Sequence, residues 1–253
     1  MNLEDKKMNK TIWMCWFQGE NDPSIPALNR ECIKRWKELN PDWEVIVLSD
    51  KTIGQYVPEY FSITKECKVQ RSLQSKSDLL RLLLLEKYGG VWVDASLYPV
   101  IDLNSMMKDY LNETNFFAYR YTPRYVNNCG IKEIATFFLI SPHKELYIIQ
   151  KWKSEFAKRL ISNSPNTYCK SINSIENFSK NNFEYQTLSS VISKLYDTDD
   201  KIQKTIDSMP QISEEHTHSF VGRKDRYFKN FYCHTYKRPN KNLMEKYLNS
   251  LNY

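Results

Sequence analysis

Two acids and a base stand close together in an otherwise apolar stretch: Asp78, Arg81 and Asp94, with the hydroxyl of Ser96 two residues beyond the last. A carboxylate can ligate a hard cation or accept hydrogen bonds from hydroxyls. A guanidinium offers a planar fork of donors that matches two oxygens of a phosphate or carboxylate. Such a set suits an anionic, hydroxyl-rich ligand. Asp78 and Arg81, three apart, share one face of a helix. Asp94 and Ser96, two apart, project to one side of an extended chain. Isolated charges are costly to bury, so that face should open onto a cavity or a polar ligand. Plainer roles stay open: an ion pair within the helix capped by Ser77, and a turn-capping carboxylate at Asp94.

The elements that must position these groups are legible around them. Leu79, Leu80 and Leu82 to Leu85 make a helix apolar nearly all round, which is the pattern of a buried helix. Gly89 and Gly90 supply the left-handed positions that end it and turn the chain. Val91-Trp92-Val93 then reads as a core strand delivering Asp94 at its end. Upstream, Thr11 to Phe17 reads as a strand. Ile25 to Glu38 carries a helical period stopped by Asn40-Pro41-Asp42, and Trp43 to Leu48 is a β-branched strand ending near Asp50. Lys51 to Ser72 reads as short helices and turns interrupted by Pro58. Further strands are expected over 116–121 and 135–140, and Pro142 is placed to open a helix running to about Leu160. Residues 162–185 are rich in Asn and Ser and carry no clear period. The alternation predicts an α/β fold with a largely parallel sheet, its ligand at the carboxyl ends of the strands, where Asp50 and Asp94 fall.

Composition agrees. The chain has 253 residues, 41% hydrophobic and 26% charged, which is globular rather than disordered. No apolar run approaches the ~20 residues of a membrane span. Met1 to Lys10 is charged and lacks the apolar core of a signal peptide, and the six cysteines form no Cys-x-x-Cys pair. Reduced thiols in a cytoplasmic protein are therefore expected. The net charge of +6 suits anionic partners. The basic residues are scattered among acids, without a recognition helix or RNA-binding signature, so a nucleic-acid partner is not expected. The stretch 236–248 is basic with Leu243, Tyr247 and Leu248 at helical spacing. It could pack on the domain or rest on an acidic bilayer.

Ser77-Asp78-x-x-Arg81 followed by Tyr88-Gly89-Gly90-Val91-Trp92-Val93-Asp94-Ala95-Ser96 resembles the sugar-nucleotide-binding core of glycosyltransferase family 32, and within it the bacterial capsular polysaccharide synthesis proteins. Ile12-Trp13-Met14-Cys15-Trp16-Phe17-Gln18-Gly19 resembles that family's first strand and nucleotide-contacting loop. Pro26 and the segment 32–48 continue the likeness, and Cys233-His234-Thr235-Tyr236-Lys237 resembles its closing segment. The resemblance implies a GT-A-type single domain over 1–253 with a Rossmann-like, mostly parallel sheet flanked by helices. Residues of about 10–100 would hold the nucleotide sugar, and about 101–253 the acceptor side. It implies Asp94, Arg81 and Asp78 as catalytic residues. Trp16, Phe17, Gln18, Asp78, Arg81, Trp92, Val93, Asp94 and Lys237 would bind nucleotide sugar, with Trp16 stacked on uracil. Asp94, Ser96 and His234 would hold Mn2+ or Mg2+. The usual motif is Asp-x-Asp, and Asp94-Ala95-Ser96 departs from it at the second acid.

The implied activity is retaining transfer of a hexose or N-acetylhexosamine from a UDP-sugar to a saccharide acceptor, free or lipid-linked, in surface or capsular polysaccharide synthesis. The location would be the cytoplasm or the inner face of the plasma membrane, in peripheral contact with it. Ser96 in place of an acid keeps one alternative in view, a catalytically silent nucleotide-sugar-binding module.

Overall fold

The computed structural model describes residues 8–67, 72–99, 101–111, 115–120, 134–162, 187–210, 212 and 230–232. The first half alternates strand and helix. It contains β1 (Thr11–Cys15), α1 (Ala27–Leu39), β2 (Glu44–Leu48), α2 (Ile53–Tyr56), α3 (Glu59–Glu66), α4 (Leu73–Tyr88) and β3 (Gly90–Val93). There follow β4 (Leu97–Pro99), α5 (Leu103–Tyr110), β5 (Phe117–Arg120), β6 (Ile134–Ser141), α6 (Tyr147–Ile161), α7 (Thr187–Thr198), α8 (Asp200–Asp207) and β7 (Asn230–Tyr232).

Five strands form the central sheet in the order β2-β1-β3-β6-β5. β1 runs parallel to both β2 and β3, whereas β6 is antiparallel to its neighbours β3 and β5. Four strands therefore share one direction and β6 alone opposes them, which gives the mostly parallel α/β sheet flanked by helices that the sequence predicts. β4 and β7 pair in a separate antiparallel ribbon.

The inner strands β1, β3 and β6 bury both faces, as near-continuous apolar runs should. Trp13, Trp92 and Leu139 point into a core with the leucines of α4 and Trp152 and Phe156 of α6. Ile12, Met14, Val91, Val93, Phe138 and Ile140 point the other way, against Ile33 and Trp36 of α1. α4 is buried from Asp78 to Leu85 because α6 and α7 cover the side turned from the sheet. At the α4–β3 junction Gly89 and Gly90 have φ of 70° and 93°. A Cβ on Gly90 would lie 2.5 Å from the Thr11 carbonyl oxygen, so conformation and space both demand glycine there.

Two local expectations are corrected. α4 begins at Leu73 and is capped by Ser72, whose hydroxyl accepts from the Ser75 N–H at 3.2 Å; Ser77 lies inside the helix. Pro142 does not open α6. Residues 142–145 turn first, Glu145 adopts φ 59°, and its N–H donates to the Glu86 carbonyl at 2.7 Å, docking the turn on α4 before the helix starts at Tyr147.

Candidate functional site

The carboxyl ends of β1, β2 and β3 lie side by side, and each passes directly into a loop carrying polar groups. In the β1–β3 pairing Trp13 stands opposite Trp92. Beyond β1 the Trp16 N–H donates to the Leu48 carbonyl at 2.9 Å, and the Asp50 N–H to the Phe17 carbonyl at 2.9 Å. Trp16, Phe17, Asp50 and Asp94 thereby share one edge.

Arg81 is the centre of the cluster. Its guanidinium lies 2.9 Å from Asp78 Oδ1 and 3.4 Å from Asp94 Oδ1, and donates through its other terminal nitrogen to the Thr136 carbonyl. It also sits 5.0 Å from the centre of the Trp92 ring, within cation–π range. The Trp92 indole N–H donates to Asp94 Oδ1 at 2.8 Å. Both bonds to Asp94 thus fall on Oδ1, while Oδ2 carries none among the described residues. Only Asp94 is appreciably open, its side chain 27% exposed against 2% for Asp78 and 4% for Arg81. Asp78 and Arg81 support Asp94 from beneath.

Burial governs the electrostatics. Loss of water pushes the Asp78 carboxyl up to about 7; the Arg81 guanidinium opposes that shift, and the Asp94 carboxylate adds to it. Asp94 is raised too, chiefly by burial, against the pull of Arg81 and the Trp92 N–H. The Cys15 thiol is pushed up by burial and by the Asp50 carboxylate, which removes it as a thiolate nucleophile. Burial, with Cys15 and Asp50 nearby, also raises the Tyr60 hydroxyl.

The remaining sequence-predicted residues fall as follows. Trp16 is half-buried against the α1-side core, and its indole N–H is buried without a partner among the described residues. Phe17 packs on the α4-side core, and Gln18 is exposed. Trp92 and Val93 are 1% and 0% exposed, between β1 and β6, so they underlie the edge and do not line it. Ser96 does not continue a strand beside Asp94. β3 ends at Val93, and the Leu97 N–H closes a turn onto the Asp94 carbonyl at 2.9 Å. His234 and Lys237 lie outside the described residues. Cys15, Tyr60 and the Thr136 carbonyl were not anticipated at this edge. The position of Cys15 at the end of β1 was the available signal for it, while Tyr60 and Thr136 arrive through tertiary folding alone.

No three His, Cys, Asp or Glu side chains among the described residues converge as a metal cluster. A hard cation carried with a diphosphate draws most of its oxygens from phosphate and water, so a single carboxylate is a compatible protein anchor. Asp94 Oδ2, with the half-buried Ser96 hydroxyl in the same turn, fits that donor set.

Fold and site together describe an α/β protein whose ligand edge is built on codirectional strand ends around a buried acid–base cluster. The chain belongs to the capsular polysaccharide synthesis protein family, which residues 1–247 match. Over 119 residues, 44% of this chain, it is 28% identical to the initiation-specific alpha-1,6-mannosyltransferase of Candida albicans, covering 31% of that protein. Over 101 residues, 36% of this chain, it is 32% identical to the O-glycosyltransferase braB of Annulohypoxylon truncatum, covering 23% of that protein. It therefore spans about a quarter to a third of the length of these curated relatives. Among solved structures, the ligand-free glycosyltransferase domain from the YGT toxin superposes with a TM-score of 0.49 at 12% identity, covering 88% of this chain and 85% of that one.

Proposed function

We propose that the protein is a glycosyltransferase that moves a hexose or N-acetylhexosamine from a UDP-sugar to a saccharide acceptor, free or lipid-linked, in surface or capsular polysaccharide synthesis. The observation that carries the reading is Asp94 standing half-open at the strand ends, held by Arg81 and the Trp92 N–H with Asp78 beneath. Family membership and the names of the curated relatives support the class of reaction.

In the proposed reaction the acceptor hydroxyl oxygen forms a bond to the anomeric carbon as the bond from that carbon to the β-phosphate oxygen breaks. The leaving phosphate takes the hydroxyl proton. Attack on the face the phosphate leaves retains configuration and needs no enzymic carboxylate as nucleophile; this stereochemistry rests on family analogy. Asp94 accepts hydrogen bonds from ligand hydroxyls through Oδ2 and, with Ser96, would hold Mn2+ or Mg2+. The cation would offset charge developing on the diphosphate. Trp16 offers its ring to the base, a mode that tolerates base identity. Arg81 fixes the orientation of Asp94 from below. No helix among the described residues is long and apolar enough to cross a membrane. We place the protein in the cytoplasm, working at the inner membrane face where a lipid-linked acceptor is presented.

A second reading, a silent nucleotide-sugar-binding module, is favoured by Ser96 in place of a second acid and by the Arg81–Asp94 pairing, which engages the remaining one. Calorimetric titration of UDP with Mn2+ and then with EDTA, followed by turnover on a panel of UDP-sugars, decides between them. Metal-dependent binding with transfer is the expected result. Binding without transfer or hydrolysis supports the silent module, and no binding in either condition overturns both.

A further inference from the structure

α1 presents one face to the core at positions 29, 32, 33 and 36, and three of these are apolar: Cys32, Ile33 and Trp36, 0–3% exposed. The fourth is Asn29, 2% exposed. An amide at a core position of an amphipathic helix breaks the local pattern and is costly unless its groups are paired. The Asn29 side chain is half paired. Its Nδ2 donates to the Ala95 carbonyl at 3.3 Å, while Oδ1 is buried with no partner among the described residues.

What Asn29 holds is the residue between Asp94 and Ser96. About two turns of helix further along the same face, the Trp36 indole N–H donates to the Leu97 carbonyl at 2.8 Å. The turn closed by the Leu97 N–H on the Asp94 carbonyl is therefore gripped at two carbonyls, those of Ala95 and Leu97, from a single rigid helix. The grip reaches further: Asn40 Oδ1, just after α1, accepts from the Leu103 N–H at 2.7 Å. Arg81 and Trp92 fix the Asp94 carboxylate from the α4 side, and α1 fixes the backbone that carries it from the opposite side.

We propose that Asn29 is a positioning residue for the glycosyl transfer proposed above, acting through the Ala95 carbonyl to set the Asp94–Ser96 turn. The inference rests on that reading for its consequence in turnover, whereas the grip itself can be tested without it. Asn29→Leu fills the core position without a donor. Asn29→Asp is isosteric and can donate to the Ala95 carbonyl only while its carboxyl is protonated.

The experiment measures amide hydrogen exchange at Leu97 and in β3, together with kcat and KM across pH, in wild type and both variants. For Asn29→Leu the expected result is faster exchange at Leu97 with β3 unchanged, an undiminished melting temperature, and a fall in kcat of about 10–100-fold with a smaller change in KM. For Asn29→Asp, turnover relative to wild type recovers as the pH is lowered and the donor returns. Unchanged exchange at Leu97 overturns the grip. Faster exchange with wild-type kcat and an unshifted pH profile overturns the role in transfer. Wild-type protein with no turnover on any UDP-sugar refutes the function proposed above and with it the role in transfer, and the grip then stands or falls on exchange alone.

Discussion

Replacing Arg81 with methionine tests the account of the buried cluster most directly. The substitution keeps much of the side-chain volume and removes the cation that, among the described residues, faces both carboxylates and the Thr136 carbonyl. Breaking a buried charge pair by removing one partner costs about 3–5 kcal/mol, because the other is left uncompensated. At about 2–4 °C per kcal/mol for a chain of this size, the melting temperature should fall by roughly 6–20 °C. The loss must also depend on pH. The folded-state Asp78 carboxyl is raised to about 7 from 3.8, so the folded protein binds this proton more tightly than the unfolded chain. Stability from this group is therefore fully present below about pH 4 and is lost as the pH rises through about 7. Arg81 opposes that rise, so removing it drives the carboxyl higher and widens the window. Urea denaturation should show a larger deficit for Arg81→Met at about pH 8 than at about pH 5, by at least about 1 kcal/mol. Adding Asp78→Asn to Arg81→Met should recover part of the loss, with a coupling of about 0.5–3 kcal/mol. Equal deficits at both pH values, or a loss below about 1 kcal/mol, would refute an ion cluster held against burial.

Asp94→Asn retains an Oδ1 acceptor for Arg81 and the Trp92 N–H, so circular dichroism and melting should stay near wild type. Transfer should fall by at least about 100-fold, and near wild-type rates would remove Asp94 from the site. Gly90→Ala puts a Cβ 2.5 Å from the Thr11 carbonyl oxygen at φ 93°, and should destabilise by well over ~1 kcal/mol in thermal melts. Trp16→Ala should weaken UDP binding by about 1–3 kcal/mol in calorimetry, while Trp16→Phe keeps most of the affinity because stacking needs only a π-face. Equal affinity for all three proteins would assign Trp16 to the core instead.

The sequence made much of this arrangement legible, for identifiable physical reasons. α4 announces itself because six leucines leave no polar face, and its end because two glycines follow; β3 and Asp94 come with it. β1, β2 and α1 carry strong periods closed by turn residues. What could not be read was the contribution of distant segments. That β6 would run against the other strands and bring its Thr136 carbonyl to Arg81 depends on pairing across more than forty residues. The start of α6 was misplaced because Pro142 looks like a first helical residue, whereas the chain needs four residues to turn onto α4. Asp94 and Ser96 were expected on one side of an extended chain, but the hydrogen bond from the Leu97 N–H to the Asp94 carbonyl makes a turn there. The half-paired amide of Asn29 was visible only as a polar letter in an apolar period.

β6 supplies two carbonyls to residues of the first hundred: Thr136 receives Arg81, and Phe137 receives the Asp94 N–H at 2.9 Å. The part of the chain that carries the recognisable motif is thus incomplete without a strand lying outside it. Chimeras that exchange the first hundred residues between relatives to alter donor choice would inherit a foreign β6, and a backbone shift there would tilt Arg81 and Asp94 together. Successful grafts should take β6 along, and a fragment ending near residue 100 should leave the guanidinium without one of its anchors.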